Sequence, residues 1–306
     1  MEKMFALLLC AMMLLSMTAC SSEEPAPTDA TVSATIPATE MTEAPTDAPT
    51  TPATAPAAPS NIQLVDNESI AVHITGIENN AHTGMQLRIQ CENKTDRALM
   101  FSWDMVSVCG YMYDPFWAEE VAAGKTVNST IYLDTYALEQ MGITSVDEIT
   151  FTLNVIDSEN WMEPLLKESF TIYPTGLSAS TWQVPQRETP GAQVVAEDEN
   201  VRFVIEGSDG EDSSKYTVYV YLENKTDRNL MYSWDMVSVN GYMIDPFWAM
   251  SVAAGKRACS EITFYRSDLE ANGITEVSEI EFTLLVSDYD DWTTGELLQK
   301  TYTYQP

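Results

Sequence analysis

Only two histidines and five cysteines occur among 306 residues, which leaves little material for a Ser/His/Asp triad, a zinc ribbon or a dense disulfide scaffold. Basic residues are scarce as well. Fifteen Lys+Arg stand against 46 Asp+Glu, a formal charge of −31, so duplex binding, which needs basic side chains to displace counterions from phosphates, is strongly disfavoured. No Gly-rich phosphate loop and no His-x-x-x-His pair is present. Nor does any apolar run reach the roughly 20 residues of a membrane-spanning helix. What the chain does have is length, enough for two domains with hydrophobic cores of their own.

The longest apolar run, Met4 to Met17, is interrupted only by Ser16 and follows Glu2 and Lys3. It has the length of a secretory signal core rather than of a membrane span. Met17-Thr18-Ala19-Cys20 resembles the lipobox of bacterial lipoproteins, with a small residue before the cut and the obligatory cysteine. That resemblance implies that residues 1–19 are removed and that Cys20 carries a diacylglyceryl anchor. It places the protein on the extracytoplasmic face of the bacterial cell membrane. A lipid with two or more chains holds stably, whereas one chain alone is marginal. The competing reading is a plain secretory signal with a cysteine at its cleavage site. Residues 20–60 are rich in Thr, Ala and Pro and carry six acidic and no basic residues. Such a stretch buries too little apolar surface to fold, so it reads as a disordered tether reaching up to about 120 Å from the membrane.

The remainder contains one module written twice at a constant offset of 131. Glu92-Asn93-Lys94-Thr95-Asp96-Arg97 returns as Glu223-Asn224-Lys225-Thr226-Asp227-Arg228. The segment Ser102-Trp103-Asp104-Met105-Val106-Ser107-Val108 returns as Ser233-Trp234-Asp235-Met236-Val237-Ser238-Val239. Asp114-Pro115-Phe116-Trp117 and Val121-Ala122-Ala123-Gly124-Lys125 recur in the same way, and no gap is needed from Leu64/Val195 to Trp161/Trp292. The organisation expected is a domain over 61–175, a linker over 176–190 that carries Gly176, Pro185 and Pro190, and a second domain over 191–306.

Within each copy apolar residues alternate with period two. Met85, Leu87, Ile89 and Cys91 match Tyr216, Val218, Val220 and Leu222; Ile149, Phe151, Leu153 and Val155 match Ile280, Phe282, Leu284 and Val286. That is the pattern of half-buried strands. Asn240-Gly241 suits a type I′ hairpin turn, for which Cys109-Gly110 is the weaker counterpart. One short helix is expected where Ser267-Asp268-Leu269-Glu270 forms a capping box and Gly273 a stop. About seven strands per copy with little helix predict an all-β chain of two tandem immunoglobulin-like β-sandwiches. A strand ending in Glu-Asn-Lys-Thr-Asp, a hairpin, then Ala-Ala-Gly-Lys before the next strand resembles the telokin-like, immunoglobulin-like domains of Gram-positive surface lipoproteins. The resemblance implies a sandwich outside the cytoplasm and no settled activity.

Chemistry is sparse. His73 and His82 have Val204 and Ser213 as counterparts, so a base built on either would exist in one copy only, and His73 reads as a rim histidine. Cys91, Cys109 and Cys259 correspond to Leu222, Asn240 and Asn128, so the fold needs no bridge; a Cys91–Cys109 disulfide stays open, with small buried hydrophobes the favoured reading. Asp157 and Glu159, with Asp288, Asp290 and Asp291, invite calcium but lack the Gly turn and later Glu of an EF-hand, and read better as solvated loops.

Aromatics beside acids are the better lead. Trp103, Asp104, Tyr111 and Trp117 lie on one predicted hairpin, Trp234, Asp235, Tyr242 and Trp248 on the other, with Phe116 and Phe247 alongside. Rings next to carboxylates suit a sugar face or a protein anchor, although a sandwich also needs at least one buried Trp per copy. Met105, Met112, Met236 and Met243 read as core fillers rather than copper ligands. No catalytic residue, metal or cofactor is assigned. The expected function is a non-catalytic envelope module that binds a protein or glycan ligand, or else a spacer or accessory subunit of another envelope protein.

Overall fold

The computed structural model describes residues 61–306 apart from 81–83, 161–162 and 180–190. The signal segment, Cys20, the tether, His82 and most of the expected linker 176–190 lie outside the described residues.

Among the described residues each repeat forms nine strands rather than about seven. In the first they are β1 (Ile62–Asp66), β2 (Ile70–Asn80), β3 (Gly84–Asn93), β4 (Leu99–Val108), β5 (Tyr111–Met112), β6 (Ala118–Val121), β7 (Thr126–Leu133), β8 (Ile149–Asp157) and β9 (Leu166–Ile172), with α1 (Thr135–Gln140) between β7 and β8. In the second they are β10 (Gln193–Glu197), β11 (Val201–Asp209), β12 (Lys215–Asn224), β13 (Leu230–Val239), β14 (Tyr242–Met243), β15 (Ala249–Val252), β16 (Arg257–Tyr265), β17 (Ile280–Asp288) and β18 (Glu296–Tyr304), with α2 (Arg266–Ala271) before β17. Four of these strands are short, β5 and β14 of two residues and β6 and β15 of four.

The order β1-β2-β3-β7 in one sheet and β5-β4-β8-β9 in the other, with β6 on β4, makes an all-β immunoglobulin-like sandwich; β10-β11-β12-β16 and β14-β13-β17-β18 repeat it. Residues of the expected inward parity, from Met85 to Cys91, Tyr216 to Leu222 and Ile149 to Val155, are buried. Two hydrophobic clusters result, each drawn mainly from one repeat.

The sandwiches are nevertheless joined. β5 pairs in parallel with β16, Tyr111 opposite Arg257, and the Arg257 N–H donates to Gly110 O at 2.9 Å. One nine-stranded sheet therefore runs through both repeats, which belong to a single compact unit.

Both hairpin turns adopt the same shape. Cys109 and Gly110 have φ of 49° and 82°, Asn240 and Gly241 of 50° and 83°, so the first copy forms the turn as fully as the second. The two side chains also do the same work. Asn240 donates to Glu276 O (2.8 Å) and accepts from the N–H groups of Ser278 (2.9 Å) and Glu279 (3.0 Å). Cys109 donates to Ser145 O and accepts from the Asp147 N–H, both at 3.3 Å through sulfur. Asparagine tolerates the left-handed region better and hydrogen-bonds more strongly than a thiol. Cys109 is fully buried while Asn240 is half-buried, so the clean comparison is Asn240→Cys, which should lower stability by about 1 kcal/mol; an unchanged melting midpoint would contradict that ranking.

The capping box is a correction. β16 runs straight into α2, so the N-cap falls on Tyr265, which caps with no side-chain bond, and Ser267 lies inside the first turn. The first repeat has Asp134 at that place, accepting from the Tyr136 N–H at 2.9 Å. The stop at Gly273 is as expected, with φ of 73° and its N–H on Glu270 O.

Candidate functional site

The hairpin after β4, and its counterpart after β13, concentrate the backbone strain of the molecule. Among the described residues the non-glycine positions with positive φ are Met105, Cys109 and Phe116 and, at the same offset, Met236, Asn240 and Phe247. Such conformations cost about 1–3 kcal/mol each and persist only where their surroundings impose them. Acids do the imposing here. Asp104 and Asp235 accept from the N–H of Met105 and Met236, and Asp114 and Asp245 from that of Phe116 and Phe247, all at 2.8 Å. Asp104 and Asp235, expected as ligand acceptors, thus already hold a bulge in β4 and β13.

The tryptophans turn inward. Trp103, Trp117, Trp234 and Trp248 are all buried, which corrects the expectation that some of them offer a ring to solvent. Trp103 stacks on Phe151 with centroids 3.9 Å apart and meets Trp117 edge-on at 5.9 Å. Trp234 stacks on Phe282 at 3.8 Å and meets Trp248 edge-on at 6.0 Å. The Nε1 atoms of Trp117 and Trp248 donate to Ser129 Oγ (3.1 Å) and Ser260 Oγ (3.0 Å). These rings are the centre of each sandwich, not a sugar platform.

What faces solvent is different. Phe116 and Phe247 are almost fully exposed, each left-handed in the connection from β5 to β6 or from β14 to β15. Met236, Tyr242 and Met243 are exposed by 65, 51 and 63 %. Their counterparts Met105, Tyr111 and Met112 are exposed by only 8, 1 and 9 %. Identical residues at identical places differ because the second repeat covers the first. Met105 and Met112 join the second repeat's hydrophobic cluster, and the Ala253 N–H points at Met112 Sδ at 3.3 Å. In return Val204 and Tyr221 join the first repeat's cluster, with half-buried Cys259 packed against it. Lys256 reaches Glu148 Oε1 (2.8 Å) and Thr150 Oγ1 (3.2 Å) across the seam. A groove of about 310 Å³ follows this seam, with Asp104, Asp114 and Met250 on its walls. Met236 and Met243 are therefore surface residues, against the core-filling role expected of them.

The remaining candidates have structural partners. Asp157 pairs with Arg97 (3.3 Å) and Asp288 with Arg228 (3.1 Å). Asp288 also accepts from the Asp290 and Asp291 N–H groups, while Asp290 meets Lys167 and Asp291 accepts from the Thr293 N–H. Among the described residues no three His, Cys, Asp or Glu gather as for a metal ion. His73 stands half-buried on β2 opposite Gln90.

No Cys91–Cys109 bridge forms. Cys91 is fully buried, and that burial pushes its thiol up to about 12. A folded value above the unfolded one means that the neutral thiol stabilises fully below about pH 9 and that this contribution fades as pH rises towards 12. Cys91→Val should flatten the alkaline limb of a stability–pH curve in that window; an unchanged limb would show that Cys91 does not titrate on unfolding.

No family model and no curated protein matches the chain. Among solved structures it is similar to the Salmonella enterica SafA pilin in complex with the SafB chaperone, at 13 % identity over 79 % of this chain and 98 % of that one, with a TM-score of 0.23. Red sea bream transglutaminase matches at 9 % identity over 79 % of this chain and 31 % of its own, TM-score 0.23. Exo-chitosanase CsxA of Amycolatopsis orientalis matches at 13 % identity over 78 % and 27 %, TM-score 0.24. The chain spans less than a third of the last two.

Proposed function

We propose that the chain is a lipid-anchored protein of the outer face of the bacterial cell membrane whose two non-catalytic sandwiches, held off the bilayer by an acidic tether, engage a protein partner through the exposed hairpin face of the second repeat. One observation carries the reading. The face formed by Met236, Tyr242 and Met243 is exposed on the second repeat, while the same face on the first is covered by protein. Exposed apolar side chains gathered in one place are what a contact surface offers. Tyr242, half exposed beside Met243 on β14, supplies the aromatic anchor such surfaces favour. A glycan ligand is less well supported, because the tryptophans that would stack on sugar rings are spent on the core.

The anchor rests on Met17-Thr18-Ala19-Cys20. Both repeats are acidic, at −12 and −13, so anionic headgroups repel them and the tether keeps them clear. Two measurements test the proposal in cells. Cys20→Ser should release the protein from the membrane fraction; retention would refute the lipid anchor. A photo-crosslinking residue at Tyr242 should give protein adducts that a probe at exposed Tyr132 on the first repeat does not. Absence of adducts at Tyr242 would favour the spacer reading.

A further inference from the structure

The seam between the repeats is a template for what the open face accepts. On the receiving side the first repeat contributes Met105, Gly110 O, Tyr111, Met112, Glu148 and Thr150. The same places in the second repeat are Met236, Gly241, Tyr242, Met243, Glu279 and Glu281. The apolar residues and the carboxylate are all kept, and Thr150 is replaced by a further acid. Among the described residues β14 pairs only with β13, whereas its counterpart β5 also pairs with β16. Glu279 is exposed, and no described lysine or arginine pairs with it as Lys256 does with Glu148.

The side that docks is kept only in part, since Ala253 and Lys256 return as Ala122 and Lys125 but its larger apolar residues do not. Val204, Tyr221, Met250, Arg257 and Cys259, which press on the first repeat or line its seam, become His73, Gln90, Glu119, Thr126 and Asn128. Gln90 and Asn128 instead form an exposed amide pair at 2.9 Å. The outer face of the first repeat is thus polar, as the end cap of a repeat array is, while that of the second is not. A second copy would bring Glu119 up against Asp235 and Asp245, the counterparts of the seam acids Asp104 and Asp114. Like charges in that position oppose docking.

Resting on the protein-binding reading above, we infer that the open face of the second repeat receives an exposed β-strand edge of another protein, bearing lysine or arginine beside apolar residues, and not a second copy of this chain. The incoming strand extends the sheet edge at β14, its cation meets Glu279 and Glu281, and its apolar residues cover Met236 and Met243. Edge pairing supplies the main-chain hydrogen bonds, and the side chains supply the choice of partner.

Appending a basic, apolar edge at high effective concentration tests this directly. The full chain carrying Met243→Cys, a change at an exposed side chain, is extended after Pro306 by a further copy of residues 176–306, whose edge carries the Lys-Arg pair. Labelling of the introduced thiol by a thiol reagent should slow at least tenfold relative to the unextended chain. Glu279→Lys with Glu281→Lys should restore the rate. Extension by residues 61–175, with the polar edge, should leave it within twofold. No slowing in the first extension, or equal slowing in both, would overturn the inference. Photo-adducts at Tyr242 in cells alongside an unprotected thiol in the Met243→Cys chain would leave the protein-binding proposal standing and remove only this choice of partner.

Discussion

Trp234→Ala should cost the second repeat about 3–5 kcal/mol, the range for truncating a large aromatic in a packed core. The ring lies 3.8 Å above Phe282, abuts Trp248 and Phe203, and so ties β13 to β17 within one sheet and to β11 in the other. No smaller side chain bridges those contacts, and a rigid sheet cannot collapse far into the space left behind. Trp234→Phe should behave differently. The Nε1 atoms of Trp234 and of its counterpart Trp103 are buried without a hydrogen-bond partner, an arrangement that costs about 1–3 kcal/mol in general. Phenylalanine gives up volume but removes that orphaned donor, so the net loss should stay near 1 kcal/mol. Chemical denaturation followed by far-UV circular dichroism separates the two outcomes. Equal losses for Ala and Phe would mean that the indole N–H contributes a bond after all.

The strands were legible because burial with period two leaves its mark on every inward position, and Phe151 and Phe282 or Leu87 and Val218 fall where alternation puts them. The hairpins were less so, for a mechanical reason. Between Asp104 and Ser107, and between Asp235 and Ser238, the register with the neighbouring strand shifts, so parity counted from Trp103 no longer applies beyond the bulge. The Asp residues that drive it were visible, but as acids beside rings they suggested a ligand instead of a backbone anchor. Met105 and Met236 mark a harder limit. They occupy the same motif in the same local fold, and their exposure differs only because a second sandwich covers one of them. No local pattern encodes that. The clue lay in the comparison of repeats, where Val204, Tyr221 and Cys259 replace His73, Gln90 and Asn128, an apolar surface on a strand face that alternation would assign to solvent.

Asn224→Ala is expected to destabilise the second repeat by about 3 kcal/mol, and Asn93→Ala the first by a similar amount, although neither residue touches a ligand. Glu-Asn-Lys-Thr-Asp-Arg reads in the sequence as the end of a strand, yet the asparagine is a buried pin. Its Nδ2 donates to Arg228 O (2.7 Å), Val252 O (2.9 Å) and Ala253 O (3.1 Å), and its Oδ1 accepts from the Thr226 N–H (2.9 Å) and Oγ (2.7 Å). Asn93 holds Arg97 O, Val121 O and Thr95 in the same way. Each pin fastens the loop leading to β4 or β13 to the end of β6 or β15, the elements that carry the hairpin face. Alanine leaves those buried carbonyls without a donor. Aspartate has nearly the same shape but only acceptors when ionised, so at neutral pH it sets a charge against two or three carbonyl oxygens. Asn224→Asp should therefore be worse than Asn224→Ala at pH 7, and the order should reverse in acid, where the protonated carboxyl again donates. Urea unfolding of both variants at pH 4 and 7 checks this. Parity between them at neutral pH would mean that shape, not the direction of the hydrogen bonds, is what the motif preserves.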